Sequence, residues 1–114
     1  MGVVETEERF AAVVRELADR PGVELPEPAR RRFGSDALKV NGSIFAMVTG
    51  GSLVVKLPRH RVDALISDGT GAPFDSGKGT PMKEWVRVVT DDQATWLSLA
   101  REALDFVGRG AGGR

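Results

Sequence analysis

The 114-residue chain contains no cysteine and a single histidine, His60. Without a thiol it can form no disulfide, present no thiol nucleophile and hold no metal through thiolate ligands. A histidine-rich zinc site is also excluded, because one imidazole cannot supply the ligands that such a site needs. The residues leave a carboxylate-only magnesium or calcium site as the sole metal option, and we expect no cofactor.

The chain also lacks long apolar runs, and none approaches the roughly 20 residues that a membrane-spanning helix requires. Its N-terminal segment, MGVVETEERF, is acidic and contains no signal-peptide core. We therefore expect a cytoplasmic protein that does not contact a membrane. The length predicts a single domain over residues 1–107, followed by a flexible, glycine-rich tail over residues 108–114.

The net charge of zero conceals an uneven distribution along the chain. Residues 1–28 carry three basic and seven acidic groups, whereas residues 29–62 carry seven basic groups and one acidic group. Residues 63–114 carry six basic and eight acidic groups. The middle of the chain is therefore basic and lies between two acidic regions.

Hydrophobic periodicity predicts three helices. The first spans Thr6–Asp19, with Thr6 as its N-cap, and Pro21–Pro28 follows as a proline-rich linker. The second is a short helix over Arg59–Ser67. The last helix runs to about Val107 and is introduced by Thr90–Gln93, which has the pattern of a capping box. The acidic side chains in this box are expected to stabilise the helix end rather than to act as a catalytic pair.

Four strands are predicted, over Ala37–Val40, Ser43–Val48, Leu53–Leu57 and Trp85–Val89. Asn41-Gly42, between the first two, supplies the two positive φ angles of a type I′ turn. The element order is therefore α-β-β-β-α-β-α. An antiparallel sheet of about four strands that carries helices makes an α+β two-layer domain.

Side-chain alternation assigns the residues of the first three strands to two faces. Leu38, Ala46 and Val55 belong to one apolar face. We predict that Phe45 and Met47 lie on the opposite face, together with Val54, Lys39 and Lys56. This second face must be partly covered, and Phe45 and Met47 would form an exposed apolar patch on it that marks a partner site.

The chain resembles the N-terminal domain family of TfoX/Sxy proteins over about residues 30–107. The matching motifs, in chain order, are Phe33-Gly34, Asn41-Gly42, Ile44-Phe45-Ala46, Leu53-Val54-Val55-Lys56-Leu57, Gly71-Ala72-Pro73-Phe74, Pro81-Met82-Lys83-Glu84-Trp85 and the segment from Trp96 to Val107. MmcQ/YjbR-like proteins share part of this pattern, but the Pro-Phe and Pro-Met-Lys-x-Trp spacing favours the TfoX family.

The resemblance implies a non-enzymatic domain in a family whose biochemical activity is largely unassigned. The chain departs from the family pattern at Arg32-Phe33-Gly34-Ser35, where the family usually has Met-Phe-Gly-Gly. It also carries no C-terminal helical domain of the kind found in full-length competence regulators. We therefore expect no role in competence.

The loop GAPFDSGKGT, which contains Lys78, superficially resembles a phosphate-binding loop. A Walker motif needs glycine, four residues, and then Gly-Lys-Ser/Thr. Ala72 stands at the first glycine position, and Gly79 stands where a hydroxyl should contact magnesium. No helix follows to bind phosphate at its N-terminus. The loop is therefore interpreted as structural.

The basic residues suggest two alternative interpretations. The residues concerned are Arg30, Arg31, Arg32, Lys39, Lys56, Arg59 and Arg61. They either bind an anion or nucleic acid, or form a solvated face that pairs with the acidic helices. His60 lies between two of these arginines, and no nucleophile or orienting carboxylate is placed beside it, which favours a non-catalytic role. Phe74, Trp85 and Trp96 are interpreted as core aromatics rather than the lining of a ligand pocket.

Our leading hypothesis is a regulatory or protein-interaction module that binds an unknown protein partner through Lys39, Phe45, Met47, Lys56 and residues 71–82. Phe74 and Lys78 lie in that last segment. The alternative is a small-molecule or anion-binding domain that uses Arg31, Lys56, His60 and Lys78. Weak, salt-sensitive DNA binding ranks below both. A monomer or a homodimer formed through an uncovered edge strand would be compatible with either.

Overall fold

The computed structural model describes residues 2–25, 36–75 and 82–109, which form three helices and one six-stranded sheet. The elements in chain order are α1 (Gly2–Leu17), β1 (Val23–Glu24), β2 (Asp36–Val40), β3 (Ser43–Thr49), β4 (Ser52–Lys56), α2 (Arg59–Ser67), β5 (Gly71–Pro73), β6 (Trp85–Val88) and α3 (Gln93–Gly108). Among these residues, no helix combines the length and apolar character needed to cross a bilayer.

The sheet has the strand order β1-β2-β3-β4-β6-β5, and every neighbouring pair is antiparallel. The predicted α+β class is therefore confirmed, but the strand count rises from about four to six. The two additional strands are short edge strands. Val23, within the predicted linker, pairs with Val40, and Gly71, within the predicted loop, pairs with Val88. Neither segment shows the alternating apolar pattern by which longer strands are recognised.

The hydrophobic core lies between one face of the sheet and the three helices. β3, β4 and β6 contribute Ala46, Leu53, Val55, Val86 and Val88, whose paired positions place them on the same face. The helices cover this face with Phe10, Val13 and Leu17 from α1, Val62 and Leu65 from α2, and Trp96, Leu99, Ala100, Ala103, Leu104 and Val107 from α3.

Both hairpins that form the centre of the sheet turn through residues with positive φ. Asn41 and Gly42 have φ angles of 52° and 87°, which confirms the predicted type I′ geometry between β2 and β3. Gly50 and Gly51, between β3 and β4, have φ angles of 62° and 81°. These tight turns hold the three central strands in register.

Helix α1 begins at Gly2 rather than at Thr6. Thr6 precedes Phe10 by four residues and Val13 by seven, so it lies on the same face of the helix as these core residues. It is buried, and its Oγ1 donates a hydrogen bond of 3.4 Å to the backbone oxygen of Gly51. The N-cap prediction for Thr6 is therefore wrong, because the hydroxyl links α1 to the second hairpin turn.

The N-cap of α3 is Asp92 rather than Thr90. The Asp92 carboxylate accepts a hydrogen bond of 3.0 Å from the backbone N–H of Thr95, which would otherwise lack a helical partner. Thr90 Oγ1 instead accepts a hydrogen bond from the Asp92 N–H. The helix-end role predicted for this acidic pair is confirmed for Asp92, two residues later than the capping box indicates.

Phe45 is fully buried in the core, which contradicts its assignment to an exposed apolar patch. The pairing of β2 with β3 shifts between Leu38 and Lys39. Leu38 lies opposite Ala46 and Lys39 lies opposite Ile44, so Phe45 is the additional residue of a β-bulge. A bulge changes the direction of the side chains beside it. Phe45 consequently packs in the same core as its neighbour Ala46, and strict alternation fails there.

Candidate binding site

The face of the sheet opposite the helices carries three of the predicted site residues. Met47 lies opposite Val54 in the pairing of β3 with β4, and Lys56 follows Val54 by two residues on the same face. Lys39 is two residues from Ala37, which pairs with Met47. Val54 has no exposed surface and Met47 is partly buried. The second face is therefore partly covered, as its apolar residues indicate.

One end of this face is defined by a contact between Lys56 and Trp85. The two residues are direct partners in the pairing of β4 with β6. Lys56 Nζ lies 5.7 Å from the centre of the Trp85 ring, within the distance of a cation–π interaction. Trp85 is partly buried. Its assignment to the core is therefore only partly correct, because part of the indole contributes to the surface.

Trp85 lies in a surface depression of about 560 Å³, which we call the Trp85 depression. Its lining residues are Lys56, Arg59, Met82, Lys83, Glu84 and Trp85. Three cationic side chains thus surround one carboxylate and one indole. Met82 is 38% exposed, and it is one of three large hydrophobic residues that are exposed in the described part of the chain. The depression therefore combines positive charge with accessible apolar surface.

Backbone hydrogen bonds between distant segments hold the depression together. The N–H of Leu57 donates to the oxygen of Glu84 at 3.0 Å, which extends the contact of β4 with β6 beyond the paired strands. The N–H of Met82 donates to the oxygen of Phe74 at 2.8 Å, and the N–H of Trp85 donates to the oxygen of Met82 at 3.2 Å. The chain around Met82 is thereby fixed on both sides, so the lining side chains project from a defined backbone.

The lining of the depression carries groups that can bind an anion and groups that can contact apolar surface. In the described residues, no three histidine, cysteine, aspartate or glutamate side chains lie close enough to hold a metal ion. Among the described residues, the lining includes one carboxylate, Glu84. The arrangement can attract an anionic group to Lys56, Arg59 and Lys83, and it can bury an apolar group against Met82 and Trp85.

Arg61 does not contribute to this basic surface, because it is paired with Glu102. Its Nε and Nη2 donate hydrogen bonds of 2.6 and 3.0 Å to the two carboxylate oxygens. These hydrogen bonds, together with the negative charges of Glu102 and Asp68, hold the pKa of Arg61 above its usual value against the opposing effect of burial. For this arginine, the interpretation that basic residues pair with an acidic helix is correct.

The remaining predicted site residues have different positions. His60 is exposed and follows Arg59 in the first turn of α2, outside the lining of the depression. Phe74 is partly buried and contributes its backbone oxygen beside the depression. Arg31 and Lys78 lie outside the described residues, as do the other arginines of the cluster at 30–32 and residues 76–80 of the glycine-rich loop.

Met82 and Lys83 were not predicted as individual site residues, and Trp85 was predicted to lie in the core. A signal was present, because all three belong to the Met-Lys-x-Trp motif. Their significance depends on the approach of Lys56 and Arg59 from the other side of the pairing between β4 and β6. That approach requires the strand order, in which β6 lies between β4 and the edge strand β5.

The comparisons with known proteins agree with the motif evidence. The family model described as the TfoX N-terminal domain matches residues 26–107, which covers most of the chain and includes all of the Trp85 depression. No curated protein and no solved structure matches the chain. On the extent of the family match, the chain belongs to the TfoX N-terminal domain family.

Proposed function

We propose that this domain is a non-enzymatic regulatory module that binds an acidic segment of a partner protein in the Trp85 depression. The observation that carries the proposal is the presence of three cations, Lys56, Arg59 and Lys83, around the apolar surface of Met82 and Trp85. The cations would attract and orient an acidic segment. This electrostatic attraction would mainly raise the association rate. Met82 and Trp85 would provide the apolar contact that slows dissociation.

The exposed Met82 favours a protein partner over nucleic acid. Non-specific binding of single strands generally relies on several aromatic side chains on which successive bases stack. Among the described residues, Trp85 is the one aromatic residue in the lining. A methionine adapts its shape to different apolar side chains and is common at surfaces that bind proteins. The edge strands β1 and β5 contain two and three residues, so sheet extension offers few backbone hydrogen bonds for a homodimer.

The test is affinity capture with charge-reversal variants. Arg59→Glu with Lys83→Glu replaces two exposed cations of the depression. Arg20→Glu changes an exposed cation in the turn between α1 and the edge strand β1, which is separated from β4 by two strands. Each protein is used to capture partners with and without nuclease. The captured proteins are then purified, and their binding to each variant is measured at low and moderate salt.

The proposal predicts a nuclease-resistant protein that binds the wild type and Arg20→Glu but not the doubly reversed variant. Its affinity should fall as salt rises, because exposed charges are screened. Loss of all partners after nuclease treatment would instead indicate nucleic acid. A protein partner that the doubly reversed variant still retains would assign binding to another surface. No partner in either sample would favour the small-ligand alternative and would contradict the proposal.

A further inference from the structure

A second cavity lies at the opposite end of β4 from the Trp85 depression. Its volume is about 340 Å³, near the lower end of the roughly 300–1,000 Å³ that is typical of small-ligand sites. The residues that matter chemically are Thr6, Arg9, Ser52, Thr90, Asp91 and Trp96. We call it the Arg9 cavity. It combines α1, the start of β4 and the segment that leads into α3.

Arg9 is the main charged group of the cavity. Its side chain is only 16% exposed, and its guanidinium carbon lies 5.2 Å from the centre of the Trp96 ring. The Asp91 carboxylate lies 4.0 Å from the guanidinium, and the Asp91 side chain is 83% exposed. In the described part of the chain, the guanidinium makes no hydrogen bond. A largely buried guanidinium usually uses its five donors, so these donors are available to a ligand.

The walls of the cavity are held by hydrogen bonds that do not involve the guanidinium. Trp96 Nε1 donates to the backbone oxygen of Thr90 at 2.7 Å, which fixes the ring beneath Arg9. Gln93 Nε2 donates to the backbone oxygen of Arg9 at 3.1 Å, and this contact joins α3 to α1. The cavity is therefore formed before any ligand enters, which lowers the ordering cost of binding.

We propose that the Arg9 cavity binds a small zwitterionic α-amino acid. The planar guanidinium matches a carboxylate in a two-point hydrogen bond. Asp91 at the rim would repel a simple anion but attracts an ammonium group next to that carboxylate. Thr6, Ser52 and Thr90 offer hydroxyl groups near the charges, and the volume suits a ligand with a short side chain. This site is separate from the Trp85 depression and goes beyond the proposed protein interaction.

The probe is intrinsic fluorescence of a Trp85→Phe variant, in which Trp96 is the remaining tryptophan. The common α-amino acids are titrated one at a time, and each hit is compared with the acid that lacks its amino group and the amine that lacks its carboxylate. Inorganic phosphate is included as a simple anion. Isothermal titration calorimetry on the wild type measures the same affinities without relying on fluorescence.

The expected result is a Trp96 fluorescence change with at least one small amino acid, and weaker binding of both truncated analogues and of phosphate. Arg9→Met should weaken binding at least about tenfold, because a hydrogen-bonded charge is removed. Asp91→Asn should lower the preference for the amino acid over its deaminated analogue by about two- to fivefold, since Asp91 is exposed. Asp105→Asn, an exposed carboxylate elsewhere on α3, should leave the preference unchanged.

Three results would overturn the proposal. The first is no binding of any amino acid at millimolar concentration by either method. The second is equal binding of the amino acid and its deaminated analogue, or binding of phosphate alone, either of which would make Arg9 an unselective anion site. The third is an unchanged preference in Asp91→Asn. This last variant alters only an exposed side chain, so it decides the proposal even where Arg9→Met fails to fold.

Discussion

The Arg61 guanidinium in α2 and the Glu102 carboxylate in α3 form a two-point hydrogen bond, with Nε 2.6 Å from Oε2 and Nη2 3.0 Å from Oε1. The pair joins two helices that lie on the same face of the sheet. Both side chains remain about one-third exposed, at 36% and 35%. Solvent therefore screens the attraction. Although the hydrogen-bond geometry is good, the pair contributes little to the free energy of unfolding.

A double-mutant cycle on this pair should yield a coupling free energy of about 0.5–1 kcal/mol. Arg61→Ala, Glu102→Ala and the double variant are unfolded in urea, and the coupling is the departure from additivity. The value should decrease as salt is raised, because the pair is accessible to ions. The Arg101–Glu16 contact is the control. Its 3.9 Å distance and greater exposure predict a coupling near zero. Equal coupling in the two pairs would show that the hydrogen-bond geometry does not matter.

Phe45→Ala should destabilise the protein by about 3–5 kcal/mol, because it removes a buried aromatic ring from the core. The matched control is Leu25→Ala, since Leu25 is 49% exposed and should change stability by less than about 0.5 kcal/mol. Both values come from urea unfolding followed by circular dichroism. A small change in stability for Phe45→Ala would indicate that Phe45 is exposed at the surface and would contradict the bulge assignment.

The contrast between Asn41 and Phe45 shows which parts of the fold are predictable from sequence. The turn at Asn41 depends on the conformational preferences of two adjacent residues, so local sequence identifies it. The burial of Phe45 depends on the pairing of β2 with β3, which shifts by one residue. No glycine or proline marks this shift, and strict alternation assigns Phe45 to the wrong face.

In the candidate sites, too, residues identified by local sequence were predicted, whereas residues that depend on distant contacts were not. Lys56 was predicted because its strand pattern is clear, and the basic character of its surroundings was visible in the charge distribution. Arg9 was not predicted. Its significance arises from a contact with Trp96 that joins the first and last helices, and the spacing of residues along either helix does not reveal it. Contacts between distant segments must be seen in the structure.

Gly71→Ala should destabilise the protein by about 1–3 kcal/mol through overpacking. An added Cβ would lie 2.5 Å from Val86 Cγ2 and 3.3 Å from Leu65 Cβ, and both of these side chains are buried. Gly108→Ala is the matched control, because its added Cβ meets Val40 Cγ2 at an ordinary 3.6 Å. In the control, the higher helix propensity of alanine than of glycine should leave stability unchanged or raise it by up to about 1 kcal/mol.

A second substitution tests whether the close contact with Val86 causes the loss of stability in Gly71→Ala. Val86→Ala removes the atom that the new Cβ would meet. The cost of Gly71→Ala should therefore be smaller in the Val86→Ala background than in the wild type, measured by urea unfolding. An equal cost in both backgrounds would rule out the close contact with Val86 as its cause.

The contribution of Asp92 to stability should depend on pH. Hydrogen bonds from the Thr95 hydroxyl and the Thr95 N–H favour the ionised carboxylate and lower the pKa of Asp92 in the folded protein. A lowered folded pKa means that the stabilisation is fully present above the unfolded pKa of about 3.9 and is lost as pH falls through the folded value. Asp92→Ala should thus lower the melting temperature at neutral pH, and the difference from wild type should narrow below about pH 4.

The measurement is thermal unfolding by circular dichroism from neutral pH down through the acidic range, with Asp92→Asn as the comparison. Asparagine retains an uncharged acceptor at the N-cap, so it should keep part of the stabilisation without the same loss in acid. The difference between Asp92→Asn and Asp92→Ala should therefore stay nearly constant, while the difference between wild type and Asp92→Ala decreases. If the difference between wild type and Asp92→Ala also stays constant, protonation of Asp92 is not linked to folding. In that case the hydrogen bonds between Asp92 and Thr95 do not persist in solution.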